Sequence, residues 1–238
     1  MLVVPPASAQ PDPPPGPAPG PEPSVLDPAN LGPAPGPAED STSSSPAGSS
    51  SSLCPDIEVI FARGTDDTPG LGTPGQAFVD ALRPLVGGRT LTSYAVNYPA
   101  SYNFLHAADG ANDARNRIAL MSQQCPETKL VLGGYSQGAA VMDMLAGLPP
   151  LGNKIGDIGS APPLAADLQR RIAAVAVFGN PSAKFSNPMT SSVFAGRAID
   201  LCKDGDPICS RGRNPFAHND YVSAGLVQQA ARFVASIV

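Results

Sequence analysis

One pentapeptide in the chain has the make-up of a nucleophilic turn. Gly134-Tyr135-Ser136-Gln137-Gly138 follows the apolar run from Lys129 to Gly133 and precedes Ala139 to Leu145, which is good helix material. A serine between a strand and a helix, flanked by glycines, sits on a strained turn that leaves no room for neighbouring side chains and lifts the hydroxyl to the carboxyl edge of a sheet. With 24 Gly and 22 Ser in 238 residues, random order gives G-x-S-x-G roughly 0.2 times per chain, so the flanking strand and helix carry the assignment.

A serine hydroxyl attacks only when a base takes its proton, and a histidine base needs an acid to fix its tautomer. The chain offers two histidines, His106 and His218. In α/β hydrolases the order is Ser, then Asp or Glu, then His. That order selects His218 and leaves His106 as a surface or packing residue. Asp206, just beyond a strand in the Cys202 to Cys209 loop, is the best acid. Asp204 is an alternative whose simpler role is a solvated loop charge. The oxyanion of the tetrahedral intermediate needs donors: the backbone N–H of Gln137, which follows the nucleophile, and a group from the loop after the first strand. Thr65, closing Phe61-Ala-Arg-Gly-Thr65, supplies an N–H and a hydroxyl, or is an ordinary turn residue. Leu105, Ile208 and Phe216 are candidates for an apolar rim that would bind an acyl chain.

The elements needed to position these groups are readable in outline. Ile57–Phe61, Leu91–Tyr98, Leu130–Leu132, Ile172–Phe178 and Ala198–Leu201 are short β-rich runs, several of them continuously apolar, as in strands buried on both faces of a parallel sheet. Ala111, Ala114, Ile118, Met121 and Cys125 recur on one helix face that Asp109 is placed to cap. Val222, Leu226, Ala230, Phe233 and Ile237 line a closing helix. Alternating strands and helices predict an α/β sandwich with a mostly parallel sheet.

Residues 1–53 form a different material. They hold 15 of the 29 prolines, 10 of the 22 serines, five acidic residues and no Lys or Arg. With so few large apolar side chains the segment cannot repay the entropy of ordering and is expected to be disordered. The formal net charge of −5 therefore lies in this tail, and the remaining 185 residues balance 15 acidic against 15 basic side chains. A balanced domain lacks the basic footprint that nucleic acid requires. No apolar run is long enough to span a bilayer. Ala7-Ser8-Ala9 after a short apolar stretch resembles the end of a secretory signal, without its charged start. Four cysteines, Cys54, Cys125, Cys202 and Cys209, suggest two disulfides and an oxidising compartment. Three pairings are possible. The short separation of Cys202 and Cys209 makes a local loop the simplest choice and leaves Cys54 for Cys125. Closing these loops is worth roughly 2.5 and 4.4 kcal/mol in the chain-entropy account. The absence of a Cys-x-x-Cys pair and the scarcity of histidine argue against a structural zinc site. Gly70-Leu-Gly-Thr-Pro-Gly75 fits G-x-G-x-x-G, but Arg63 to Pro69 separate it from its strand, so it reads as a loop beside the site and not as a nucleotide cradle.

Taken together, Phe61-Ala-Arg-Gly-Thr65, Gly134-Tyr-Ser-Gln-Gly138 with Ala-Ala after it, the Cys-x-x-Gly-Asp-x-x-Cys loop at 202–209 and Ala217-His218 resemble the cutinase family, especially its secreted actinobacterial members. The likeness covers nearly all of 54–238. It implies the cutinase-like α/β-hydrolase fold, a three-layer sandwich around a five-stranded parallel sheet. It also implies serine esterase activity without metal or cofactor, Ser136, Asp206 and His218 as triad, Thr65 and Gln137 as oxyanion hole, and the same cysteine pairing. Fungal members commonly carry Ser where this chain has Thr65, which keeps the hydroxyl but alters its aim. The expected protein is a secreted or envelope-located monomer hydrolysing short- to medium-chain acyl esters, lipids or polyesters such as cutin. An acetylxylan-type deacetylase, a phospholipase or a thioesterase are rivals on the same fold, and a non-catalytic surface protein is a rival of another class.

Overall fold

The computed structural model describes residues 54–151 and 158–238. The expectations for the 1–53 tail, including its signal-like start, lie outside the described residues.

Five strands, β1 (Ile57–Ala62), β2 (Leu91–Ala95), β3 (Lys129–Tyr135), β4 (Ile172–Phe178) and β5 (Ala198–Leu201), form one sheet in the order β2-β1-β3-β4-β5. Every pairing is parallel. All six residues of β1 are buried, as expected of a strand covered on both faces, Glu58 among them with its carboxylate accepting from Arg117 Nε at 2.8 Å. The helices are α1 (Gly72–Leu82), α2 (Ala107–Gln124), α3 (Gln137–Ala146), α4 (Ala166–Arg171) and α5 (Leu226–Ala235).

Strand alternation divides the core into two layers. Ile60, Leu132 and Val177 pack with Ala111, Ala114 and Ile118 of α2 and Val141 of α3. Phe61, Val131 and Phe178 face the other way, with Phe78 of α1 and Val227, Ala230 and Val234 of α5. Burying such side chains contributes about 1.5–3 kcal/mol each relative to exposure, and the sheet thereby becomes the rigid floor from which the site is built. β3 and β4 keep register except at one irregularity: Leu130 faces Ile172 and Val131 faces Ala174, so Ala173 is the extra residue.

Three details depart from the sequence reading. β2 ends at Ala95, short of Tyr98, because the Asn97 N–H donates to Asp113 Oδ2 at 2.8 Å and leads the chain off the sheet edge. Asp109 does not cap α2; the helix begins at Ala107, and Asp109 lies in its first turn paired with His106 Nδ1 at 2.7 Å. The buried face of α5 is Val227, Ala230, Ala231 and Val234, whereas Ile237 is exposed and Val222 precedes the helix. Gly225, at φ 74°, starts that helix late, and its two neighbouring apolar faces gave the sequence pattern no way to choose between them. Among the described residues no helix is long and apolar enough to cross a membrane.

Candidate active site

β1 and β3 are neighbours, yet the chain leaves β1 toward one face and returns to β3 over the other. This is the switch point where open α/β sheets form a crevice beyond the carboxyl ends of their strands. Ser136 sits there, between β3 and α3, with φ 54° and ψ −114°. That backbone conformation is costly for a residue with a side chain. It is held by the sheet, since the Ser136 N–H donates to Phe178 O at 2.9 Å. The flanking glycines are needed for space: a Cβ on Gly134 would meet the Gly138 carbonyl, and one on Gly138 would meet that of Ala62.

A continuous hydrogen-bonded line runs from the serine. Ser136 Oγ is 2.8 Å from His218 Nε2, and His218 Nδ1 is 2.7 Å from Asp206 Oδ2. A carboxylate only accepts, so Nδ1 carries the hydrogen and Nε2 is left as the acceptor facing the hydroxyl. Asp206 is fully buried. Burial pushes its carboxyl up, but hydrogen bonds from His218, Tyr221 and the Ile208 N–H outweigh this and hold it below the ordinary carboxylate range. Its loop is closed by the Cys202–Cys209 disulfide, and the second bridge joins Cys54 to Cys125 across 71 residues. Asp204 is exposed on the same loop, and His106 is half-buried just before α2, outside this line.

His218 lies in a short 3-10 turn, Pro215–Asn219, whose entry is capped by Asn214 Oδ1 accepting from the Phe216 N–H. Tyr135 holds the histidine twice. Its ring stacks on the imidazole with centroids 5.0 Å apart, and its hydroxyl donates to His218 O at 2.6 Å. The loop after β1 is equally anchored: Arg63 Nη2 donates to Tyr98 O at 2.8 Å and the Asp66 N–H to Ala100 O at 2.8 Å. Thr65 Oγ1 is 3.4 Å from Gln137 Oε1, and Gln137 Nε2 donates to Ser101 O at 3.2 Å. Gln137 opens α3, so its backbone N–H has no intrahelical acceptor and carries the partial positive charge of a helix start.

These groups line a cleft of about 540 Å³ whose remaining wall is apolar, with Tyr102, Phe104, Leu151, Ile158, Pro181 and Ile208. Of the three expected rim residues only Ile208 lines it; Leu105 and Phe216 are exposed and not part of its lining, to which Tyr102 and Phe104 contribute. Asp67 is a further carboxylate in the wall. Burial raises it above the usual range, partly offset by the Gly64 N–H and by Arg63 and His218. Gly72 of the discarded glycine motif packs against this Asp67, where a Cβ would be 2.6 Å from Oδ2, in keeping with a loop beside the site. Among the described residues no three His, Cys, Asp or Glu side chains are grouped to hold a metal ion.

Residues 53–238 match the cutinase family. The chain belongs to that family. Its relatives include Phospholipase Culp4 of Mycobacterium tuberculosis, 51% identical over 185 residues covering 77% of this chain and 79% of the relative. Probable carboxylesterase Culp3 of the same species is 50% identical over 185 residues, covering 76% of this chain and 68% of the relative. Among solved structures, the Trichoderma reesei cutinase in complex with a C11Y4 phosphonate inhibitor superposes with a TM-score of 0.61 at 34% identity, covering 77% of each chain. This cutinase-family chain is accordingly an α/β hydrolase and a carboxylic ester hydrolase.

The sequence pattern gives no role to Tyr135, Asp67 or Tyr221 of this cutinase-family chain. Tyr135 is the variable position inside G-x-S-x-G, and Tyr221 stands three residues after the histidine, one turn onward; both spacings were available signals. Asp67 carried no such mark.

Proposed function

We propose that this cutinase-family chain cleaves its esters through an acyl-enzyme formed on Ser136. His218 Nε2 takes the hydroxyl proton as Oγ adds to the ester carbonyl, Asp206 keeps Nδ1 protonated and stabilises the imidazolium, and the proton is then delivered to the leaving alcohol. The backbone N–H of Gln137 and the Thr65 hydroxyl receive the oxyanion. Thr65 Oγ1 has Gln137 Oε1 as its neighbour in the resting site and turns from it when substrate arrives. Water activated by His218 completes hydrolysis. The observation that carries this reading is the pair of hydrogen bonds of 2.8 and 2.7 Å that joins hydroxyl, imidazole and carboxylate in one line.

The apolar wall supports short- to medium-chain acyl esters as substrates, and the likeness to a phospholipase at 51% identity supports lipid esters among them. A cleft of about 540 Å³ has room beyond an acetyl group, which favours longer acids over a dedicated deacetylase. Two disulfides support an oxidising compartment, and Ala7-Ser8-Ala9 supports export to the cell envelope or beyond.

Ser136→Ala is expected to lower hydrolysis of p-nitrophenyl butyrate by at least about 10⁴-fold with thermal unfolding nearly unchanged, and the unaltered enzyme to turn over butyrate faster than acetate. Full retained turnover in the variant would refute the assignment.

A further inference from the structure

Asp206 Oδ2 has two donors, and only one of them belongs to the proposed triad. His218 Nδ1 reaches it at 2.7 Å, and Tyr221 donates its hydroxyl to the same oxygen at 2.6 Å. Asp206 Oδ1 accepts separately from the Ile208 N–H at 2.7 Å. Tyr221 is buried to 1% exposure, with its ring edge-on to His218 at 6.3 Å. Its hydroxyl oxygen also accepts from the Lys203 N–H at 3.2 Å and lies 3.3 Å from Cys209 Sγ. The phenol is thereby gripped by both ends of the disulfide loop, and its one proton is committed to the carboxylate.

We propose that Tyr221 is a positioning residue for this hydrolysis, its hydroxyl setting how strongly Asp206 grips the imidazole by competing for the same carboxylate oxygen. The proposal rests on the triad reading above. A donor on Oδ2 draws off part of the charge that would otherwise act on the imidazolium, and it fixes the plane of the carboxylate so that Oδ2 stays aimed at Nδ1. A buried tyrosine satisfied merely for packing needs a partner for its hydroxyl, but nothing requires that partner to be the acid of the line. The Lys203 N–H bond is structural in that sense; the Asp206 bond is not.

The titratable surroundings are few enough for the effect to be read. Asp206 faces His218 and Tyr221. Tyr221 faces Asp206 and Tyr135. Asp67, with Arg63 beside it, faces His218 from the loop after β1. Burial and the Asp206 bond together push the Tyr221 hydroxyl well above its usual range, so it stays a donor throughout the working pH range.

The experiment compares pH profiles of kcat/KM for the full chain, Tyr221→Phe and a protein carrying 3-fluorotyrosine at position 221 alone, with Ser136→Ala as control. In Tyr221→Phe the carboxylate holds the imidazolium more tightly and less squarely. The acid limb should rise by about half a pH unit, kcat fall roughly tenfold and KM stay within about twofold. The fluorinated ring keeps the shape with a more acidic hydroxyl and should move the acid limb the opposite way, which decides the matter even if Tyr221→Phe folds poorly. An acid limb that is unmoved in both proteins, or that shifts in the reverse sense, overturns the proposal while leaving the triad standing. Retained turnover in Ser136→Ala overturns the triad reading, and this proposal with it.

Discussion

Asp206 and Asp143 are both buried to 0% exposure, yet the protein drives them in opposite directions. Asp206 has His218, Tyr221 and the Ile208 N–H directed at it, and together they overcome burial and keep it ionised. Asp143, on α3 seven residues beyond the serine, accepts one hydrogen bond, from Asn180 Nδ2 at 3.1 Å, and its Oδ2 has no partner. Burial, with the nearby Asp200 adding to it, raises its carboxyl well above the ordinary value, and the Asn180 hydrogen bond offsets this only in part. Depth alone therefore does not decide charge; the number of donors does. One carboxyl is held below the ordinary range beside His218, while the other is pushed above it inside the scaffold.

That contrast can be broken at its active end first. Asp206→Asn should lower kcat by about 10⁴-fold, because the amide can present its NH₂ and reverse the histidine tautomer, while the neighbouring Asp204→Asn should stay within about twofold. Comparable losses from both would dissolve the distinction drawn between a buried acid and a solvated one. A smaller effect is expected from Asn180→Ala, which removes the amide that donates to Asp143 at 3.1 Å and to Asp200 at 2.8 Å. Urea unfolding should show a loss of about 2 kcal/mol; an unchanged midpoint would mean that the amide bears no strain from the two acids. The subtlest is a slope. A carboxyl raised in the fold contributes stability at low pH that is lost as pH climbs through its raised value, whereas the lowered Asp206 contributes stability that is lost as pH falls. Asp143→Asn removes the first of these, so as pH rises above the ordinary carboxylate range the variant should gain on the parent protein in melting temperature. Parallel curves would show that Asp143 is already charged in the folded protein across that range and would overturn the contrast.

The sequence made the strands legible because runs such as Leu130–Leu132 and Ile172–Phe178 are short and wholly apolar, as strands of a covered sheet are. It pointed to Ser136 through its glycines, and to His218 because only two histidines exist and one precedes the serine. Hydroxyl direction was illegible: nothing in the spacing of Tyr221 says that its proton goes to Asp206 Oδ2 and not to a backbone carbonyl. The cleft wall was misread for a related reason. Leu105 and Phe104 are adjacent and both apolar, and only the winding of the 3-10 turn Phe104–His106 decides which of them lines the cleft. The Asp143, Asn180 and Asp200 assembly draws on α3, the end of β4 and β5, so no local pattern announces it.

β4 lies between the strand that ends at Ser136 and the strand that leads to Asp206. Neighbouring strands stand about 4.8 Å apart, so Ser136 and Asp206 are set on a ruler two rungs wide, and the imidazole of His218 closes the span. Segments outside the sheet can lengthen or shorten without disturbing that interval. A change in the number of rungs would leave the base reaching for one partner and missing the other.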